Sequence, residues 1–381
     1  MAIVISEQDL VAAVEAVERH HGNKTEAAKE LKLDRSTFRG RLANAWRTMG
    51  LAPNVPRVPV PQGNVLGKTT MQVDAAGNVT QQWARLHPDQ DTMETFVASM
   101  LDSVNKKGPR IAPPKSVHGD ILQVIIGDPH AGMYAWAKET GDDYDIDIFL
   151  KLHIGAIKSL IDRAPRCSEI ILTWLGDLMH SDSKFGTTKS GNILDMDGRF
   201  GAIIDAVQRC VNESIAYAAT KAQKVTVVFV QGNHDSHSTS WIQRLTAAWW
   251  KNTKHVDVPI FEGNRHYMRR GSVLLGVHHG DKIAGNRLAH LMATESPDWS
   301  ATKYRYYDCG HVHHSKKLAP AFDTEEHPGC IVEYHRVMAG LEAYGHEAGY
   351  CASRAMTARI LNERYGNIGT LTVTPAMLME H

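Results

Sequence analysis

The chain has 381 residues, with 42 basic and 42 acidic side chains and a formal net charge of zero. That balance excludes a global field drawing the chain to nucleic acid or to an anionic membrane, so an anionic ligand must be met by local charge or bound metal. The apolar share, 43%, supports a sizeable core, and the length suits one large α/β domain with a small accessory one.

Residues 8–47 read as three short helices. "DLVAAVEAVERHH" carries Leu10, Val11, Val14 and Val17 at helical spacing. Gly22 and Asn23 end it, Thr25 is the expected N-cap of "EAAKELKL", and Asp34 that of "RSTFRGRLANAWRTMG". Two short helices joined by a tight turn form a helix-turn-helix pattern. "GNKTEAAKELKLDRSTFRGRL" resembles the Fis-type helix-turn-helix family. The resemblance implies packing roles for Ala28, Leu31, Leu33 and Phe38, and a DNA-facing set of Arg35, Ser36, Arg39 and Arg41. Lys32 departs from it, because glycine is common at that turn and a positive φ is costly for lysine. The last helix has four arginines and no acid, which favours DNA as partner. The alternative is a bundle serving only assembly, as in a homodimer. Residues 1–50 are thus the expected DNA-binding domain.

Residues 51–66 contain the proline-rich "LAPNVPRVPVPQGN", an extended linker. Residues 67–117 form a connector: "TTMQVDAAGNVTQQW" reads as a β-hairpin around Ala76, Gly77 and Asn78, and "DTMETFVASMLDSVNKK" as an amphipathic helix. The main domain is expected over 118–381.

From residue 120 an apolar strand repeatedly runs into a polar cluster. "ILQVII" leads to Asp128 and His130, "EIILTWL" to Asp177 and His180, and "VTVVFVQ" to Asn233, His234 and Asp235. "SVLLGV" leads to His278 and His279, and "YRYYDC" to His311, His313 and His314. Strand C-termini are where α/β sheets place their sites. Each cluster alone is weak, since an aspartate after a strand is more often a cap and a lone histidine a surface residue. Five in succession point to one site. Carboxylate, amide and imidazole donors suit Mn²⁺, Fe²⁺, Zn²⁺ or Mg²⁺. The five cysteines form no CxxC pair, which argues against structural zinc and for reduced thiols in the cytoplasm. "MAIVISEQDL" lacks the basic segment of a signal peptide, and no stretch is apolar and long enough to span a bilayer, so no membrane partner is expected.

In this order DxH, GDxxH, GNHD, HG and GHxH resemble the calcineurin-like metallophosphoesterase superfamily across residues 120–315. The resemblance implies an α/β fold, an αββα sandwich of two mixed sheets, with the site at one edge. It implies two divalent ions, Mn²⁺ first among the candidates. Asp128, His130, Asp177 and His313 would hold one, and Asp177, Asn233, His279 and His311 the other. His279 is preferred to His278 because it precedes Gly280. The implied chemistry is direct hydrolysis by a hydroxide bridging the metals, with His234 as general acid and Asp235 either orienting it or capping the next helix.

His180 narrows the substrate. "GDLMH" resembles the SbcD-type repair nucleases, in which a histidine at this place lies near the scissile phosphate. The alternative is a surface histidine, or one that supports the site from behind. The combination of helix-turn-helix, hairpin and phosphoesterase looks like proteins of tailed bacteriophages, which implies the cytoplasm of a bacterial cell or phage-infected host. The polar loop after His180 offers Lys184 and Arg199 as substrate-binding residues. The favoured reading is a DNA phosphodiesterase. The alternatives are a phosphoesterase of small or cyclic nucleotides, and a non-catalytic DNA-binding accessory protein of replication or repair. Further on, "FDTEEHPGCIVEYHRVMAG" reads as strand and turn, "CASRAMTARILNERYG" as a helix and "NIGTLTVTPAM" as a last strand.

Overall fold

The computed structural model describes residues 6–51, 64–73, 79–88, 108–115, 119–183, 186–187, 194–311, 324–341, 343–347, 349 and 353–379. The expected linker, the connector helix, His313, His314 and Lys184 lie outside these residues wholly or in large part. The chain divides into two compact units, Met1–Thr95 and Phe96–His381.

The first unit begins with three helices, α1 (Glu7–Arg19), α2 (Lys24–Glu30) and α3 (Arg35–Asn44), followed by a π-helical turn at Ala45–Met49. Ala13, Ala16, Val17, Ala27, Ala28 and Phe38 form its core, with Leu31, Leu33 and Leu42 packed against it. Asp34 caps α3 as expected, accepting from the amides of Ser36 and Thr37. The cap of α2 is Asn23 rather than Thr25, since Asn23 Oδ1 takes the Thr25 and Glu26 amides. Capping two residues earlier leaves Thr25 inside the first turn. Lys32 occupies the left-handed region, φ 52°. It is enforced by paired bonds from Leu33 N to Ala28 O and from Lys32 N to Lys29 O, the Schellman arrangement that closes a helix C-terminus. Strands β1 (Asn64–Val73) and β2 (Val79–Pro88) pair antiparallel, and the expected turn at Ala76, Gly77 and Asn78 lies outside the described residues.

The second unit is a sandwich of two mixed sheets. In chain order it contains β3 (Ile121–Ile126), α4 (Ala137–Thr140), α5 (Ile146–Arg163), β4 (Glu169–Trp174), α6 (Phe200–Lys221), β5 (Lys224–Phe229) and α7 (Ser236–Trp250). There follow β6 (Val256–Asp257), β7 (His266–Arg270), β8 (Val273–His278), α8 (Gly285–Glu295), β9 (Tyr304–Cys309), β10 (Thr324–His327) and β11 (Cys330–Tyr334). The last elements are α9 (Ala343–Glu347), β12 (Met356–Asn362), β13 (Gly366–Val373) and α10 (Ala376–Met379). The six-stranded sheet has order β13-β12-β3-β4-β5-β6 and the five-stranded sheet β10-β11-β9-β8-β7. The β3-β4-β5 block is parallel, as is β8-β9, so all five motif strands deliver their loops at strand C-termini.

Period-two alternation explains why these strands read as continuous apolar runs. Leu122, Val124, Ile126, Ile170, Leu172, Trp174, Val225 and Val227 face the cluster that includes α5 and α6. Ile121, Ile125, Ile171, Val228, Val273, Leu275 and Val277 meet between the sheets. Leu274, Tyr307 and Val332 pack with Leu288 and Met292 of α8 on the outer face. The expected helix in "CASRAMTARILNERYG" is instead strand β12, paired antiparallel with β3. Met356 and Ala358 enter the helix-side core while Arg359 and Leu361 turn toward the other sheet, so the pairing selects a two-residue period over local helix propensity.

A buried polar network crosses the sandwich. Arg359 on β12 lies 2.6 Å from Asp308 on β9 and 2.5 Å from Glu333 on β11. Asp308 also meets His335 Nε2 at 2.7 Å and accepts from Gln123 Nε2 at 2.8 Å. Burial opposes ionisation of Asp308, but the Arg359 charge outweighs it and holds the carboxyl well below the ordinary range. Among the described residues no helix is long and apolar enough to cross a membrane.

Candidate metal centre and candidate DNA surface

Asp128, His130, Asp177, Asn233, His234, His279 and His311 come from five different loops and converge. Donor atoms of Asp128, His130 and Asp177 lie within 4.8 Å of one another, as do those of Asp177, His279 and His311, so Asp177 belongs to both sets. Six described non-glycine residues have positive φ, and four of them are predicted ligands: Asp128 (29°), His130 (46°), Asp177 (46°) and His311 (64°). Such conformations cost of order 1–3 kcal/mol each and persist only where the surroundings enforce them. The glycines beside the ligands have a steric reason. A Cβ at Gly232 would lie 2.0 Å from Asp177 Oδ1, and one at Gly310 would lie 2.3 Å from Asp128 Oδ1.

The His279 ring tests whether a cation fits. Its Nδ1 is 2.8 Å from the Leu175 carbonyl, which can only accept, so Nδ1 carries the hydrogen. Its Nε2 then presents a lone pair, yet it faces Asn233 Oδ1 at 2.8 Å and Asp177 Oδ2 at 3.1 Å. Lone pairs against lone pairs are reconciled only by a proton or a metal ion. Although burial disfavours a charged ring, Asp177 and Asp128 hold its proton affinity above the ordinary histidine value. The donor set therefore fits a divalent cation, and the Nδ1–carbonyl bond fixes the ring as in metal sites generally.

Other backbone groups orient the carboxylates. The His234 amide donates to Asp177 Oδ1 at 2.8 Å, and the His311 amide to Asp128 Oδ2 at 2.6 Å. His278, the unselected neighbour of His279, is buried on the outer face of its strand, where Nδ1 accepts from the Gly280 amide at 2.8 Å.

Three expectations are modified. The surface alternative for His180 falls: it is 1% exposed, with Nδ1 3.2 Å from His130 Nδ1, and its donor atoms group with those of His130 and His234. Its amide donates to the Ala131 carbonyl, extending the β3–β4 pairing and turning the ring inward. Asp235 neither touches the His234 ring nor caps α7 with its side chain. It accepts from the amides of Gly232 and Met179, tying the loop after β5 to the loop after β4. Burial, reinforced by Asp177 and Asp182, pushes its carboxyl up to about 7. The cap of α7 is Asp182, which accepts from His237 and Ser238 and which sequence reasoning missed. Third, Arg41 is not free on the recognition face: it pairs with Asp9 of α1 at 3.0 Å.

Arg35, Ser36 and Arg39 are exposed on α3, whose Phe38 is buried. Ser36 Oγ donates to Asp34 Oδ1 at 2.7 Å, so its hydroxyl serves the cap. His234 Nδ1 donates to the His180 carbonyl at 2.8 Å, which leaves Nε2 for chemistry. Arg199 immediately precedes α6.

Residues 14–44 match the family described as bacterial regulatory protein, Fis family. No curated protein matches the chain. Similar solved structures include a conserved uncharacterized protein, a predicted phosphoesterase, from Streptococcus pneumoniae TIGR4 (10% identity, 68% of this chain and 92% of that one, TM-score 0.30). Another is Yfce, a phosphoesterase from E. coli (14% identity, 66% and 98%, TM-score 0.30). A third is purple acid phosphatase PPD1 from yellow lupin (10% identity, 84% and 61%, TM-score 0.32). At these TM-scores the likeness bears no weight for function.

Proposed function

We propose that this chain is a phosphodiesterase with two divalent metal ions, Mn²⁺ first among the candidates, acting on DNA as a calcineurin-like nuclease of a bacterial or phage-infected cytoplasm. The observation that carries the reading is the sharing of Asp177 between two donor sets, together with the two oxygens facing His279 Nε2. Asp128, His130, Asp177 and, outside the described residues, His313 would hold one ion. Asp177, Asn233, His279 and His311 would hold the other. When bound, such an ion pair neutralises phosphoryl oxygens and lowers the pKa of a water.

The protein's own groups supply the rest. His234, with Nδ1 anchored on the His180 carbonyl, would deliver a proton from Nε2 to the leaving oxygen. His180 and Asp235 are positioning residues, the first against His130 and the second across the two loops. Residues 1–50 would add DNA affinity through Arg35 and Arg39, with 51–66 as linker, 67–117 as connector and 118–381 as the catalytic domain. Lys184 and Arg199 would contact the phosphate backbone.

The test is hydrolysis by the full chain with Mn²⁺ on linear and circular DNA, single- and double-stranded, beside a small chromogenic diester. DNA cleavage that disappears in Asp177→Ala supports the proposal. Small-diester turnover with intact DNA moves the assignment to a nucleotide phosphodiesterase, and no turnover on any substrate refutes it. His234→Asn should lose turnover yet keep both ions.

A further inference from the structure

The segment after His130 exposes two large aromatic rings beside the site. The Met133 amide donates to the His130 carbonyl at 3.0 Å, closing a turn whose Gly132 has φ 87°. The turn keeps Met133 Cα within about 7 Å of His130 Cα, so Tyr134, one residue on, starts roughly 11 Å away at most. From there burial alternates: Met133 and Ala135 are buried, whereas Tyr134 is 46% and Trp136 48% exposed. Residues i and i+2 of an extended segment share a face, with Cα atoms about 7 Å apart.

The backbone carrying the rings is held from both sides. Met133 bridges to Met196, Ala135 exchanges both hydrogen bonds with Tyr144, and the Tyr134 amide donates to Asp195 O. Tyr144 in turn donates its hydroxyl to the Pro129 carbonyl at 2.6 Å, coupling the segment to the ligand loop. Neither ring belongs to a core cluster, so the fold has no evident need of them. Lys138 Nζ stands 5.4 Å from the Trp136 ring centroid. Four nearby acids are engaged, Asp142 with Arg354, Asp143 with the Ala137 amide, Asp145 with the Ile148 amide and Asp197 with the Ile146 amide, while Glu139 and Asp195 are exposed near the rings.

Resting on the phosphodiesterase reading above, we propose that Tyr134 and Trp136 form a stacking platform for unpaired bases of a single-stranded nucleic acid, whose phosphodiester lies at the adjacent metal centre. Aromatic rings stack on any exposed base, while a duplex hides its base faces. Lys138 supplies a cation for the backbone. The platform makes single-stranded DNA, or a frayed end, the preferred substrate.

The experiment measures binding of the full chain with Mn²⁺ to a hydrolysis-resistant phosphorothioate oligothymidylate of about 12 nucleotides. An abasic oligomer with the same backbone and a duplex serve as comparisons. For Tyr134→Ala/Trp136→Ala, affinity for the oligothymidylate should fall roughly tenfold or more, and affinity for the abasic oligomer should not change. Trp136→Phe in an otherwise native chain should retain most of the affinity. Equal losses on both oligomers, no loss on either, or a wild-type chain that binds only duplex would each overturn the platform. Because this assay needs no turnover, base-dependent binding without diester hydrolysis would refute the phosphodiesterase reading alone. Hydrolysis with unaltered variant binding would refute the platform alone.

Discussion

Gly232→Ala should disable the centre without substituting any predicted ligand. Gly232 has no positive φ to protect, so alanine meets no backbone objection. The conflict is steric. The new methyl would lie 2.0 Å from Asp177 Oδ1 and 2.3 Å from Asp177 N, where ordinary contact begins at 3.4 Å. It falls about 1.4 Å short of the carboxylate, and the Asp177 amide blocks retreat in the other direction. Overpacking of this kind costs about 1–3 kcal/mol of stability. A misplacement near 1 Å at a reacting site costs roughly 100-fold in rate. The assay is Mn²⁺-dependent hydrolysis of a small chromogenic diester, with metal content measured after gel filtration and stability by urea unfolding. Gly201→Ala is the control: a Cβ there meets nothing within 4 Å, and it lies in α6. It should keep wild-type turnover and gain about 0.5–1 kcal/mol of stability. A Gly232→Ala protein that stays folded with wild-type turnover and metal content would show that Asp177 is not held where the argument requires it.

Three further outcomes are expected. His279→Asn should bind one equivalent of Mn²⁺ fewer than wild type by metal analysis, whereas His278→Asn should keep both and lose about 1 kcal/mol with the Gly280 hydrogen bond. The reverse pattern would exchange their roles. Asp308→Asn should destabilise the fold by about 3–5 kcal/mol at neutral pH, because Arg359 is left buried without its partner. The folded carboxyl titrates below its unfolded value, so this contribution is present above about pH 4 and is lost as pH falls further. In urea unfolding the gap between variant and wild type should therefore narrow below about pH 4, and a gap that does not change would count against the network. Lys32→Gly should stabilise the N-terminal unit by up to about 1 kcal/mol in thermal unfolding, since glycine removes the Cβ cost at φ 52°; a destabilised variant would mean that the lysine side chain contributes more than its backbone costs.

The motif strands were legible because strands buried on both faces read as unbroken apolar runs, and each ended at a glycine with polar residues. "ILQVII" and "YRYYDC" coincide with β3 and β9 to the residue. The three N-terminal helices were legible from helical spacing and capping chemistry. β12 was misread because "TARILN" has no strong strand composition, and its state is decided by pairing with β3. The network of Gln123, Asp308, Glu333, His335 and Arg359 was invisible because its members sit up to 236 positions apart and join only across the sandwich.

The sequence by itself determined the donor chemistry: carboxylates, an amide and imidazoles at the ends of apolar strands, each beside a glycine that lets backbone and carboxylate approach. It also determined an arginine-bearing helix after a tight turn. Tertiary structure alone decided direction. A strand that ends in two histidines sends one to each face, so His279 enters the centre and His278 packs outside. Pairing beyond the strand end turned His180 inward, and the fit of α1 against α3 gave Arg41 to Asp9. Local sequence fixes what a side chain can do, but the sheet partner and the facing layer fix where it points.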